Sequence, residues 1–236
     1  MSARVPKQRA KRRKPAPARN AHAVLHYGQT TDFTCGPSSV IMAMKALKPS
    51  VKADRALELQ IWREANTIFM GPSGGHGGCS ALGLALAAHR RGFGAEVHVN
   101  HRGVLLGDRA ESKERAEVMR VLQERDLKEA RAAGIPVRFD SLTVDDLAAA
   151  LGAGALPIVL NSMEYLHSDP TAHWFVVTAI DDDNVYVNDP WVDRAKGKAP
   201  RDMTGVPIPR ALFEGVTSYG RKRERAAVML RRRPAR

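Results

Sequence analysis

The 236-residue sequence predicts an α+β fold, with an N-terminal helix bearing a cysteine packed on an antiparallel sheet that bears histidine and aspartate. Three observations predict it. Cys35-Gly36-Pro37 stands just before apolar residues at helical spacing. An uncharged run of β-formers begins at His173 and turns back through an aspartate-rich link. Helical patterns fill most of the chain between them, so helices come first and the sheet later. With 44% hydrophobic residues, a chain of this length can bury one full core.

The first element follows from Pro37, which suits the first position of a helix, and from Val40, Ile41, Met44 and Leu47 on one face. Cys35 then sits at the helix N-terminus. Unpaired backbone N–H groups and the positive end of the helix dipole favour a thiolate there. Gln29, six positions upstream, is close enough for its amide to face an oxyanion forming beside the sulfur. Residues Ala53 to Glu64 form a second helix, with Leu57, Ile61 and Ala65 at helical spacing. A glycine run, Gly74-Gly75-His76-Gly77-Gly78, delivers Cys79 to a third helix carrying Leu82, Leu86 and His89. Glu111 to Ala133 is a long charged stretch with Val118, Val121, Leu122 and Leu127, expected as a surface helix and a candidate lid or partner surface. A shorter helix, Val144 to Leu151, has its start marked by Ser141 and Thr143, and Ala155 to Leu160 reads as a buried strand.

His173 opens the last pair of strands. Trp174 to Ile180 carry no charge and read as a strand buried on both faces; Asp181 to Asn184 make the turn, and Val185 to Asn188 return. Asp189 closes the return strand before Pro190. A two-residue turn at Asp182 and Asp183 sets Asp189 opposite Val176, on the other face of the ribbon from His173. A three-residue loop, Asp181 to Asp183, sets it opposite Phe175 and on the same face as His173. An odd-numbered loop, or an equivalent bulge, is therefore expected.

Each of these residues has a plain structural reading: Cys35 as core packing, His173 as a strand-end histidine, Asp189 as a turn residue. Their occurrence together with Gln29 favours chemistry. Cys79 with His76 is a rival nucleophile and base, lacking an upstream amide and an orienting carboxylate. His76 and Cys79 also suggest half of a metal site, but no CxxC pair accompanies them, and no metal or cofactor is expected. The glycines let a loop pass close to other backbone or to a substrate.

At these residues the chain resembles papain-like cysteine peptidases of the bacteriocin-processing type, which cut after a double glycine, and more closely an uncharacterised bacterial branch similar to them. The resemblance rests on Gln-Thr-Thr-Asp-Phe-Thr-Cys-Gly-Pro at 29–37, Ile-Trp-Arg-Glu-Ala-Asn-Thr-Ile-Phe-Met at 61–70 and Gly-His-Gly-Gly-Cys at 75–79. It continues through Leu-Ala-Leu-Ala-Ala at 84–88, His-Trp-Phe-Val-Val at 173–177 and Tyr-Val-Asn-Asp-Pro at 186–190, spanning roughly Leu25 to Leu230. It implies a papain-like fold with Cys35 as nucleophile, His173 as base, Asp189 as its orienter and Gln29 as oxyanion donor. The sixteen-residue spacing from His173 to Asp189 fits such enzymes. Gly77, Gly78 and Trp174 are the candidates for substrate contact.

The expected function is thiol-dependent hydrolysis of a peptide or amide bond, with a peptide or protein as partner. The alternatives are a non-catalytic peptide-binding module, or an amide ligase or deamidase using the same residues. The net charge of +12 sits at the ends: residues 1–20 hold eight bases and no acid, and residues 221–236 hold eight bases against Glu224. The part between is mildly acidic, unlike a nucleic-acid groove, and the basic ends suit loose contact with polyanions. The expected organisation is a disordered basic tail over 1–22, the peptidase-like domain over 23–230 and a basic tail over 231–236. No apolar run is long enough to cross a bilayer, and the basic N-terminus is not followed by the apolar segment of a secretory signal. A cytoplasmic chain with reduced thiols is therefore expected, its oligomeric state unassigned.

Overall fold

The computed structural model describes residues 18–19, 23–69 and 76–233. In chain order the elements begin with β1 (Ala18–Arg19), α1 (Cys35–Leu47), α2 (Arg55–Ala65), β2 (Ile68–Phe69), β3 (His76–Gly78) and α3 (Ala81–Arg90). Then come β4 (Phe93–Val99), α4 (Lys113–Ala132), β5 (Val137–Arg138), α5 (Val144–Gly152), β6 (Leu156–Ser162) and α6 (Glu164–His167). The last are β7 (Ala172–Ile180), β8 (Asn184–Asn188), β9 (Val206–Pro209), α7 (Arg210–Val216) and β10 (Ala226–Arg232). The fold is α+β, as the sequence predicts.

One large sheet runs β5-β4-β10-β6-β7-β8-β9, with β1 paired to the far end of β7. Its pairs are antiparallel except β4 with β5. Helices α1 and α3 pack on each other and on β4, β10, β6 and β7, while α5 and α7 pack together against β6 to β9. Strand β7 is accordingly buried along nearly its whole length, which is why its sequence lacks alternation. Helix α1 is buried almost all round. Helix α2 crosses α3 at close range: a Cβ on Gly83 would stand 2.7 Å from the Ala65 Cα. Helix α4 lies outermost, burying only Met119, Asp126 and Ala130, the surface helix its charge pattern implies.

The turn between β7 and β8 differs from the expected three-residue loop. Asp181 N–H donates to Asn184 C=O at 2.9 Å, so the turn holds two residues, Asp182 and Asp183. Register begins as Ile180↔Val185 and Ala179↔Tyr186, then shifts to Val177↔Val187 and Val176↔Asn188. Thr178 is the extra residue of a β-bulge, its hydroxyl donating to Tyr186 C=O at 3.2 Å. That shift continues Asp189 to the side of the ribbon that holds His173. The bulge does what the odd loop was expected to do.

The sequence reading marks only β6, β7 and β8 among the strands, and two of those it misses are long. β4 follows α3 directly, and β10, inside the basic C-terminal stretch, is a central strand between β4 and β6. Ala226 to Leu230 are buried, and Arg231 and Arg232 are exposed, so β10 runs two residues past the boundary expected at 230. Within 1–22 only Ala18–Arg19 are described, paired with Ile180 and Ala179; the rest of the expected tail lies outside the described residues. Among the described residues no helix is long and apolar enough to cross a membrane.

Candidate active site

Cys35 is the first residue of α1, with Thr34 as N-cap. Pro37 takes the third helical position, where an N–H would have no intrahelical partner in any case. Thr34 does not cap in the usual way. Its hydroxyl donates instead to the Glu58 carboxylate on α2, leaving the Cys35 and Gly36 N–H groups free at the helix start. Glu58 is wholly buried and also accepts from Thr30 N–H at 2.8 Å and Tyr27 hydroxyl at 2.9 Å. Burial and this bond to Glu58 both raise the Tyr27 pKa, so the phenol stays protonated as the donor. One carboxylate thus holds three points of the loop that delivers Cys35.

The same loop is stitched to the end of β8. Asn188 Nδ2 donates to Val24 C=O at 3.0 Å, His26 Nε2 to Asp189 C=O at 2.7 Å, and Gln29 N–H to Pro190 C=O at 2.9 Å. Ser39 on α1 reaches across to Trp174 C=O at 3.2 Å. These bonds join the helix that carries the thiol to the strands that carry the imidazole and the carboxylate.

His173 Nε2 donates to Asp189 Oδ1 at 2.7 Å, and the imidazole is in hydrogen-bonding contact with the Cys35 side chain. Nε2 serves the carboxylate, which leaves Nδ1 for the sulfur. Cys35 is 9% exposed, His173 2% and Asp189 0%. Burial works against a charge on His173, but the Asp189 carboxylate and the Cys35 sulfur outweigh it and push the imidazole up to about 10. Burial alone would raise the Asp189 carboxyl. The His173 charge and the bonds from His167 and His173 instead hold it well below the usual carboxylate range.

His167, the last residue of α6, donates through Nε2 to Asp189 Oδ2 at 2.9 Å, and Trp191 N–H donates to Oδ1 at 2.8 Å. Both carboxylate oxygens are therefore occupied and the group cannot rotate freely. The sequence carried no signal for His167. Glu58 left one: it is an acid at helical spacing from Ile61 and Ala65, on the edge of the apolar stripe of α2.

Gln29 is tied through its backbone to the end of β8, but its amide is turned to its own loop and is not among the residues that line the cleft. Nε2 donates to Thr31 C=O at 2.7 Å, and Oε1 is buried without a partner. One N–H of the amide remains uncommitted. Cys79 and Gly78 line the same cleft as Cys35, His173 and Trp174. Trp174 Nε1 donates to Cys79 C=O at 3.2 Å, and Gly77 C=O accepts from Trp62 Nε1 at 3.0 Å. Gly78 pairs with Ile68 across the β2–β3 ribbon, where an added Cβ would meet the Ile68 Cβ at 3.0 Å. Burial, and then the neighbouring Cys35, push the Cys79 thiol well up, which makes it a poor rival nucleophile. Gly74, Gly75 and the His76 side chain fall outside the described residues.

The profile of a family described as Peptidase_C39 like matches residues 24–231. Among solved structures, a C39-like peptidase from Bacillus anthracis superposes with a TM-score of 0.54 at 14% identity, over 92% of this chain and 98% of that one. The peptidase domain of Streptococcus ComA, a bifunctional ABC transporter of a quorum-sensing pathway, matches with a TM-score of 0.44 at 12% identity, over 89% and 100% of the two chains. A double-glycine-motif protease from an AMS/PCAT transporter, solved with its leader peptide, matches with 0.44 at 13% identity, over 91% and 94%. No curated protein matches the sequence.

Proposed function

Since the chain belongs to the Peptidase_C39 like family, we propose that it hydrolyses a peptide bond by thiol chemistry, with Cys35 as nucleophile, His173 as base and Asp189 as its orienter. The observation that carries this reading is the continuous line from sulfur to imidazole to carboxylate at the start of α1. His173, its tautomer set by Asp189, takes the thiol proton at Nδ1 and the thiolate attacks the substrate carbonyl. The Cys35 backbone N–H and the uncommitted Gln29 N–H are the donors to the oxyanion. The imidazolium then returns its proton to the leaving amine, and water, deprotonated by the same imidazole, releases the acyl group. Gly78 and Trp174 wall the cleft that receives the peptide; Gly77 supports that wall through Trp62. A nucleophilic thiol needs reducing surroundings, which supports a cytoplasmic setting.

Site-resolved alkylation across pH tests the reading. In the wild type Cys35 should react fast well below a free thiol's pKa of about 8.5, and Cys79 should stay inert. His173→Ala should slow Cys35, and Cys35→Ala should cost peptide turnover on the order of a thousandfold or more. A slow Cys35 that ignores the His173 change would overturn the assignment.

A further inference from the structure

One partly buried cation in the catalytic cleft serves no ion pair among the described residues. Arg109 lines it together with Cys35 and His173, from the short 3₁₀ turn of residues 107–110 that precedes α4. Its Nε donates to Phe69 C=O at 3.4 Å and one terminal nitrogen donates to the Tyr219 hydroxyl at 2.8 Å. Among the described residues no carboxylate pairs with it: its neighbour Asp108 is taken by Lys222 at 2.7 Å, and Glu111 by Arg115 at 3.1 Å. A guanidinium has five donors, so the edge bearing its second terminal nitrogen remains open, in the fork geometry that fits a carboxylate.

The turn is held in a costly shape. Leu106 and Glu111, which flank it, have φ of 57° and 55°, a region that a bulky residue such as leucine adopts rarely. The buried Glu224 accepts from Leu106 N–H at 2.7 Å, and Gln123 ties Leu105 N–H and Gly103 C=O at 2.8 and 2.9 Å. Asp32 also lines the cleft but is exposed and forms no ion pair with Arg109.

Resting on the peptidase reading above, we propose that Arg109 is a specificity residue that selects peptides presenting a carboxylate beside the scissile bond, from an Asp or Glu side chain or a free C-terminus.

The test uses the full chain carrying Cys35→Ala, immobilised and exposed to a synthetic heptapeptide library, half amidated and half with free C-termini, with bound peptides read by mass spectrometry. Asp and Glu should be enriched over Asn and Gln at a fixed position on the order of tenfold or more, as expected for a charge-assisted contact. Enrichment inside amidated peptides assigns a side-chain carboxylate; enrichment only among free C-termini assigns the terminal one. Arg109→Gln should abolish the preference, Arg109→Lys should keep part of it, and Arg109→Glu should turn it toward Lys and Arg, a gain that misfolding cannot produce. Absence of acidic enrichment, or enrichment surviving in Arg109→Gln, overturns the proposal. The same peptides offered to the intact chain report the peptidase reading separately: if none is cut, that reading falls while the binding result stands.

Discussion

The buried triad makes its own pH signature. The folded His173 pKa is raised from an ordinary value of about 6.5 to about 10, so its stabilising share is fully present below pH ~6.5 and is lost as pH climbs toward 10. Asp189 is shifted down, so its share is present above the ordinary aspartate value near pH ~4 and is lost as pH falls below it. Thermal midpoints should therefore decline on both sides of a plateau between about pH 4 and 6.5, and Asp189→Asn should flatten the alkaline arm; an alkaline arm identical in that variant would contradict the coupling. A second expectation concerns Glu58. Truncating it to alanine strands the Tyr27 hydroxyl, the Thr30 N–H and the Thr34 hydroxyl. The cost should be about 2–4 kcal/mol in urea unfolding, with turnover lost beyond what the residual folded fraction explains. Cys35, His173 and Asp189, which the structure brings together, each stand at a local signal in the sequence; Gln29, read from its place upstream of Cys35, has its amide turned to its own loop. Glu58, His167 and Arg109 act through contacts distant along the chain, and only the first of them marked its helix.

Most helices were legible for a different reason: an amphipathic stripe is a local pattern. Asp54 accepts from Leu57 N–H and Thr143 forms a capping box with Asp146, so the starts of α2 and α5 fall where capping residues stand. Strand register is a subtler matter. Either an odd loop or a bulge brings Asp189 to the face of His173, and the run Asp181-Asp182-Asp183-Asn184 accommodates more than one turn length. The structure takes the two-residue turn and inserts Thr178, because Asp181 accepts from the Asp183 and Asn184 N–H groups and fastens the tight version. Deleting Thr178 should leave an unbulged ladder on the same two-residue turn, with Val177 still opposite Val187, Val176 still opposite Asn188 and Asp189 still on the face of His173. The deletion variant should keep its far-UV circular dichroism, its turnover and a His173 imidazole that titrates as in the wild type by NMR. A folded deletion variant without turnover would mean that the bulge shapes the site by more than register.

At the scale of the whole molecule the decisive element is β10, since it lies between β4 and β6 and closes the sheet on which α1 and α3 rest. Its end is also tied to the helix that carries Cys35: Arg232 donates to the C=O of Leu47, the last residue of α1. A chain cut before Ala226 exposes the edges of β4 and β6 together. It should lose cooperative unfolding and aggregate, the lost packing exceeding the roughly 5–15 kcal/mol that a domain has to spare. A soluble, cooperatively melting truncation would show that the C-terminal residues are a tail in energy as well as in charge. Net charge misleads here because the bases cluster at the rims of β10 while Ala226 to Leu230 are buried. The sequence by itself determined the α+β class, the helix that begins at Cys35, the strand that carries His173 and the four residues proposed for the chemistry, since spacing and residue type are local. Tertiary structure alone decided the place of β10, the bulge that turns Asp189, the Glu58 anchor and the placement of Arg109, since each depends on which distant segments share one sheet or one cleft.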